Sequence, residues 1–280
     1  MDDSSKNFRI HYHANGSATL IDAENGQAMH SRIGPALEAC VVYAARAKIE
    51  EFLDGDSREH VLYDIGMGTG ANAVAALLRI AATYGARGAL RIFSFESKPE
   101  GLRATLENLS IFPELIPWKT QLWSVLEKSA CDFRVGHVTV EWRLLTGDFY
   151  ARMADTPAPD TLFFDFYSPK VVPELWSFEC FTRVREKIGN RPARLFTYSA
   201  ATPVRLHLLA AGFFVGQGAM TGVKTETTIA ATRLELLEIP LAPLWLRKLT
   251  ASASISGSQF DAAKSRVLNH PQWKSLTPSG

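Results

Sequence analysis

Cysteine is scarce in this sequence: Cys40, Cys131 and Cys180 are the only three in 280 residues, scattered and without a Cys-x-x-Cys pair. That spacing excludes a disulfide framework and a cysteine-built zinc site, and predicts buried, reduced thiols. Excess charge of either sign is lacking too. Thirty Lys and Arg oppose 29 Asp and Glu, for a formal net charge of +1. Such a balance argues against a strongly basic nucleic-acid binder, although a local patch can sit inside a neutral total. No apolar run is long enough to span a bilayer, and no basic stretch followed by an apolar one opens the chain. The expectation is a soluble, cytoplasmic protein without membrane attachment. His11 and His13 share one face of a short strand but lack a third ligand, so no metal is expected.

What the chain does have is 46% hydrophobic residues, enough for one large α/β core. The pattern divides it into residues 1–58, a β-hairpin unit with a following helix; 59–240, a Rossmann-like domain; and 241–280, a tail outside the core. Met1 to Lys6 read as polar and loose. Between Phe8 and Met29, Asn15-Gly16 and Asn25-Gly26 separate three short strands, because both residues of such a pair tolerate positive φ. Ser31 to Leu53 has helical periodicity, with Leu37, Val41, Val42, Ala45, Ile49 and Phe52 on one face.

The stretch His60 to Ala76 organises the rest. Val61, Leu62, Tyr63 and Ile65 predict a buried strand, Gly66 to Gly70 a glycine-rich turn, and Ala71 onward a helix. Strand, turn and helix in that order put unpaired N–H groups at the carboxyl edge of a sheet, where a nucleoside can lie against a backbone free of Cβ atoms. The turn lacks the Gly-x-Gly-x-x-Gly of a dinucleotide site and the Gly-Lys-Ser/Thr of a phosphate loop. Its pattern, Asp64-x-Gly66-x-Gly68-x-Gly70, resembles the first motif of class I S-adenosylmethionine-dependent methyltransferases.

Further strands are expected at Leu90–Phe95, Val138–Leu145, Thr161–Phe164, Arg194–Tyr198 and from Gly212, with an antiparallel seventh over Thr228–Glu238. Glu96 ends the second and is suited to accept both ribose hydroxyls. Its distance from Gly66 exceeds the usual ~20 residues, so the first helix or its loop must be extended. Gly147 and Asp148 follow the third strand, where Asp148 can accept from an adenine amine, cap the next helix, or do both. The fourth strand lands on Asp165 and a loop rich in aromatics and prolines, residues 165–176, that can wall a pocket. Trp176, Phe178 and Phe181 either pack the following helix or stack on a base.

With both motifs in view, the chain resembles the MnmC-like methyltransferase domains of bacterial tRNA-modifying enzymes over about residues 8–233. The residues carrying this include Ser31 and Gly34 to Glu38; Gly66, Gly68, Thr69, Gly70 and Asn72; Glu96 to Pro99 without Ser97; Pro113 to Trp118 without Ile116; Gly147 and Asp148; Asp165, Pro169, Lys170, Pro173 and Trp176; and Thr197 to Ala200. The resemblance implies a class I, Rossmann-like α/β fold. Its sheet has seven mostly parallel strands, with helices on both faces and a small N-terminal antiparallel β unit. It implies S-adenosyl-L-methionine as cofactor, held by Asp64, Gly66, Gly68, Thr69, Gly70, Asn72, Glu96, Gly147, Asp148 and Asp165. It also implies methylation of the aminomethyl group of a wobble uridine in tRNA, with Asp165 and Tyr167 catalytic. Phe166, Pro169, Lys170, Trp176 and Lys224 would hold the substrate. The chain departs from the family in having Phe166-Tyr167-Ser168-Pro169 where Gly-Phe-Ala-Pro is usual, in the isolation of Lys224, and in showing no flavin-binding oxidase domain. Methylation of a small-molecule or protein amine, or cofactor binding without catalysis, are the alternatives.

Overall fold

A computed structural model describes residues 7–275; Met1 to Lys6, expected to be loose, lie outside them. The elements, in chain order, begin with strands β1 (Phe8–Tyr12) and β2 (Ala18–Asp22), helices α1 (Pro35–Glu38) and α2 (Ala45–Ala47), strand β3 (Asp54–Ile65), helix α3 (Ala71–Ala82) and strand β4 (Arg87–Glu96). Helices α4 (Glu100–Glu107) and α5 (Lys119–Lys128) lead to strands β5 (Ala130–Val135) and β6 (His137–Thr146), helix α6 (Phe149–Ala154), strand β7 (Thr161–Phe164) and helix α7 (Phe178–Ile188). Strand β8 (Arg194–Thr197), helix α8 (Thr202–Ala210), strands β9 (Phe214–Gln217) and β10 (Thr228–Ala231), and helices α9 (Lys248–Ala251), α10 (Asp261–Leu268) and α11 (Pro271–Ser275) complete it.

The main sheet runs β5-β6-β4-β3-β7-β8-β10-β9. Its five central strands are parallel, and β10 lies antiparallel between β8 and β9. The sheet has eight strands where seven were expected, because β5 folds back antiparallel on β6 through Gly136 at φ +57. Val61, Tyr63 and Ile65 face one hydrophobic layer with Phe181 and Leu206, while Leu62 faces the other with Leu77, Leu102 and Leu122. This two-sided burial is why β3 reads as an unbroken apolar run. The long spacing from Gly66 to Glu96 is shared between α3, twelve residues long, and β4, ten residues long.

The expected helix over Ser31–Leu53 is broken. A π-helical turn, Ala39–Ala44, interrupts it, Lys48 turns at φ +49, and Leu37 and Phe52 end up exposed. The wide turn carries Tyr43 into the core, 5.4 Å from the Phe163 ring. The third N-terminal strand shrinks to one bridge, Ile21 to Ala28, and the seventh main strand stops at Ala231. Of the thiols expected to be buried, only Cys180 is; Cys131 is half-buried and Cys40 exposed, all three free. The stretch after residue 240 is no detached tail. Trp245, Leu249, Ile255, Val267 and Trp273 fill the hydrophobic layer beside α8, and Gln272 bonds the Val215 N–H, the Val215 carbonyl and the Leu241 carbonyl at 2.8–2.9 Å. These apolar residues are diluted by Ser and Ala, which hid their periodicity in the sequence.

Candidate active site

The carboxyl ends of β3, β4, β6, β7 and β8 open onto one cleft of about 900 Å³, within the size range of small-molecule sites. The β1–β2 hairpin and its following loop form its far wall through Asp22, Gln27, Met29 and His30.

Glycine is obligatory at the first turn. Gly66 sits at φ +80, and a Cβ there would lie 2.5 Å from the Asp165 carbonyl oxygen. The ends of β3 and β7 therefore approach as closely as their backbones allow. Gly66 donates to the Phe95 carbonyl at 2.9 Å, and Gly68 donates to Glu96 Oε2 at 3.1 Å. Glu96 Oε1 accepts from the Lys98 N–H at 3.0 Å. Burial raises the Glu96 pKa, and the N–H groups of Lys98, Gly68 and Ser97 oppose that rise. Each oxygen keeps a second lone pair for a hydroxyl. Asp148 lines the same end of the cleft while its side chain accepts from Ala151 N at 2.8 Å, so it caps α6.

Asp165 ends β7, and its Oδ2 accepts from Asn72 Nδ2 at 2.9 Å. Burial, joined by the charge of Glu38, pushes its pKa up to about 6; Tyr43, His30 and Asn72 hold it down. Glu38 stands on the same wall, with Oε1 3.4 Å from His30 Nδ1 and Oε2 accepting from the Ser31 N–H at 3.2 Å. His30 Nε2 lies 2.9 Å from Thr69 Oγ1, which ties the N-terminal segment to the glycine turn. Lys224 reaches the cleft from the loop before β10. Its Nζ donates to the Tyr198 carbonyl at 3.1 Å and lies 3.9 Å over the Tyr198 ring, and burial lowers its pKa.

The loop after Asp165 rests on an aromatic cluster. Phe166 packs edge-on against Phe149 and Phe164, and Trp176 against Phe164 at 5.1 Å. The Trp176 indole donates to the Tyr167 carbonyl at 2.8 Å, so it packs the loop rather than standing free to stack. Phe181 is wholly buried. Burial, with Asp22 and Glu96 beside it, drives the Tyr167 phenol far above its ordinary pKa. That phenol thus faces the hairpin side.

The cleft brings together Gly66, Gly68, Glu96, Gly147, Asp148, Asp165, Phe166, Tyr167, Pro169, Trp176 and Lys224 of the residues singled out in the sequence. Others stand behind it. Asp64 is fully buried, accepts from Ser94 at 2.7 Å, and has its pKa pushed up to about 7 by burial. Thr69 and Asn72 are buried beneath the floor, and a Cβ on Gly70 would meet Leu122 at 2.9 Å, away from the cleft. Lys170 is exposed and does not line it. The sequence reading passed over His30 and Tyr43, and gave Glu38, Tyr198 and Ser199 no role. All but Tyr43 line the cleft. For Glu38, Tyr198 and Ser199 the one signal was their place among the residues carrying the family resemblance; His30 and Tyr43 had none.

The arrangement fits S-adenosyl-L-methionine. Glu96 offers two oxygens at the lip, Phe149 and Phe166 an apolar wall, and Asp165 and Glu38 negative charge for a sulfonium. The pattern of a family described as S-adenosyl-L-methionine-dependent methyltransferase matches residues 114–233. The chain is 28% identical over 172 residues to the tRNA 5-methylaminomethyl-2-thiouridine biosynthesis bifunctional protein MnmC of Chromobacterium violaceum. It is 27% identical over 197 residues to the protein of that name in Ectopseudomonas mendocina. These matches cover 60% and 69% of this chain but only 26% and 30% of the relatives, so the chain spans about a third or less of their length. The crystal structure of MnmC2 from Aquifex aeolicus superposes with a TM-score of 0.66 at 23% identity, covering 93% of this chain and 84% of that one. Cleft chemistry, the pattern matched over residues 114–233 and the fold agree: the chain is a methyltransferase with S-adenosyl-L-methionine as its cofactor, similar to the MnmC proteins.

Proposed function

We propose that this domain methylates an amine, and that the acceptor is the aminomethyl group of a wobble uridine in tRNA. The acceptor reading is supported by the relatives, whose name ties them to tRNA 5-methylaminomethyl-2-thiouridine biosynthesis. The observation that carries the amine is Asp165, a carboxylate at the inner end of the cleft with its pKa pushed up to about 6, chiefly by burial. On this reading the enzyme works in the cytoplasm with tRNA as its macromolecular partner. No described helix is long and apolar enough to cross a membrane.

The bound cofactor supplies an electrophilic methyl group on a sulfonium. The protein must then orient the acceptor nitrogen and relieve it of a proton, because a free alkylammonium titrates near 10, like lysine. Asp165 accepts that proton. Raising its pKa from 3.8 to about 6 narrows the gap to the ammonium by about two units, which is about 3 kcal/mol of easier transfer. Asn72 fixes the carboxylate's direction at 2.9 Å. Glu96 and Gly68 would hold the nucleoside end of the cofactor and Asp148 its base, and the Phe166–Trp176 loop would shield the reacting nitrogen from water.

The test is methyl transfer to tRNA bearing the aminomethyl side chain. Asp165→Asn should bind S-adenosyl-L-methionine within a few-fold of wild type and lose about 10²-fold in rate. Full activity in that variant would reduce Asp165 to a support for Asn72. A wild-type enzyme that methylates free alkylamines but not this tRNA would overturn the acceptor.

A further inference from the structure

We propose that Glu38 and Asp165 form a two-carboxylate subsite that takes the acceptor as its ammonium, with Glu38 keeping a counter-charge and Asp165 receiving the proton. The inference rests on the amine reading above and names the charge state and the partner residue that reading lacks.

Glu38 is an unusual carboxylate. Its side chain is 4% exposed, yet it lines the cleft. Its one ion-pair partner among the described residues is the His30 ring. Burying a carboxylate without a strong cation is costly, and here a second carboxylate lines the same cleft and feels its charge. The groups facing the pair come from five segments, one of them β3, whose buried Asp64 is charge-coupled to Asp165. The others are His30 after β2, Tyr43 in the π-helical turn, Asn72 in α3 and Lys224 before β10. None forms a strong ion pair with either carboxylate. Lys224 is tied to the Tyr198 carbonyl and ring. The Tyr43 hydroxyl is buried behind the cleft wall, close enough to Asp165 to feel its charge. Ser168 Oγ, on the wall of the cleft, is buried without a partner. A small cationic hydrogen-bond donor entering here would meet two carboxylates and the unused Ser168 hydroxyl.

The two carboxylates are also set apart electrostatically. Burial would raise Glu38, but the hydrogen bond and charge of His30 and the Ser31 contacts outweigh it and leave Glu38 below the usual range. Asp165 moves the other way. Two carboxyl groups pushed in opposite directions divide the roles of fixed charge and base. One ammonium N–H proton moves to an Asp165 oxygen. The freed nitrogen lone pair forms the N–C bond as the C–S bond breaks, and the breaking bond's electron pair stays on sulfur as a thioether. The product is a secondary ammonium that Glu38 still neutralises, and Asp165 returns its proton to water. A hydroxyl acceptor brings no such charge, so the subsite selects amines over alcohols.

The test uses the full chain, ¹³C-labelled at Asp and Glu carboxyl carbons, with S-adenosyl-L-homocysteine bound. In Glu38→Gln, Asp165 should titrate about one pH unit lower than in wild type, because a like charge has gone. Glu38→Asp should keep most of the elevation. Methylammonium chloride should shift both carboxyl signals of the wild type, whereas potassium chloride at equal concentration should not. In turnover on the aminomethyl tRNA, Glu38→Gln should raise the acceptor KM at least tenfold. It should also lower the acid-side midpoint of kcat along with Asp165, a change that loosened packing does not produce. An Asp165 midpoint indifferent to Glu38→Gln, or equal responses to the two salts, overturns the subsite. Should wild type leave that tRNA unmethylated, the acceptor reading falls while the titration and the salt comparison still decide the subsite. If Glu38→Gln fails to fold, Glu38→Asp and the salt comparison decide it.

Discussion

At the glycine-turn end of the cleft, backbone does the positioning; at the Asp165 end, side chains from distant segments do. Gly66 and Gly68 hold their places through N–H bonds to the Phe95 carbonyl and to Glu96. All the parts there come within 30-odd residues of one another, on the adjacent strands β3 and β4. Asp165, by contrast, is 93 residues from its partner Asn72, and the carboxylate that couples to it arrives from α1 through His30 and Thr69. Backbone geometry suits a cofactor shared by a whole fold class. A side-chain cluster can be rebuilt for a new acceptor without disturbing the sheet, and this is where the chain departs from the family pattern.

The sharpest way to break the backbone half is to give it a side chain. Gly66→Ala combines left-handed strain at φ +80 with a contact of 2.5 Å to the Asp165 carbonyl. The expected cost is about 3–5 kcal/mol, read as a lower urea midpoint. Unchanged stability would mean that β3 and β7 can part freely.

Next is the buried carboxyl behind the turn. Asp64 titrates near 3.8 when unfolded and is pushed up to about 7 by burial. A raised folded-state pKa contributes stability that is complete below about pH 4 and lost as pH rises through 7. Asp64→Asn still accepts from Ser94 and carries no charge. It should match the wild type near pH 4 and exceed it increasingly up to about pH 7, by about 4 kcal/mol at most. Cofactor-free unfolding at pH 4, 6 and 8 checks this; a pH-independent difference would remove Asp64 as the source.

The smallest effect belongs to the lip. Glu96→Ala should weaken S-adenosyl-L-methionine binding by about 1.5–3 kcal/mol, the scale of hydrogen bonds to a charged group. Calorimetry that finds the affinity unchanged would leave Glu96 only the task of fixing the Gly68 and Lys98 N–H groups.

The same contrast explains what could be read from the residues alone. Gly66, Gly68 and Glu96 stood out because each sits where an apolar strand run ends, a local pattern that one strand's sequence carries whole. Asp165 was visible for that reason too. His30 and Tyr43 were not, because a single His or Tyr has no periodicity, and the segment holding Tyr43 folds as a π-helical turn that helical spacing cannot anticipate. Strand β5 was missed because Ala130–Val135 alternates Asp and Arg with Cys, Phe and Val on a half-exposed edge, a weak strand signal beside the continuous runs of β3 and β7. Lys170 read as a cleft residue through its place in a family motif, and the turn after Pro169 carries it into solvent.

Gln272 has a consequence for how the molecule is made. Its amide gives Val215 a donor and an acceptor at 2.9 and 2.8 Å, the pair that a neighbouring peptide unit would offer, so one side chain stands in for part of a ninth strand. Until residue 272 has been synthesised, the Val215 N–H on this edge of β9 lacks its partner, although the Val215 carbonyl already accepts from the Leu241 N–H at 2.9 Å; an open strand group of this kind can recruit strands from other chains. The nascent protein therefore passes through a sticky interval, and a chain cut before residue 272 would be expected to aggregate before any loss of methyl transfer could be measured.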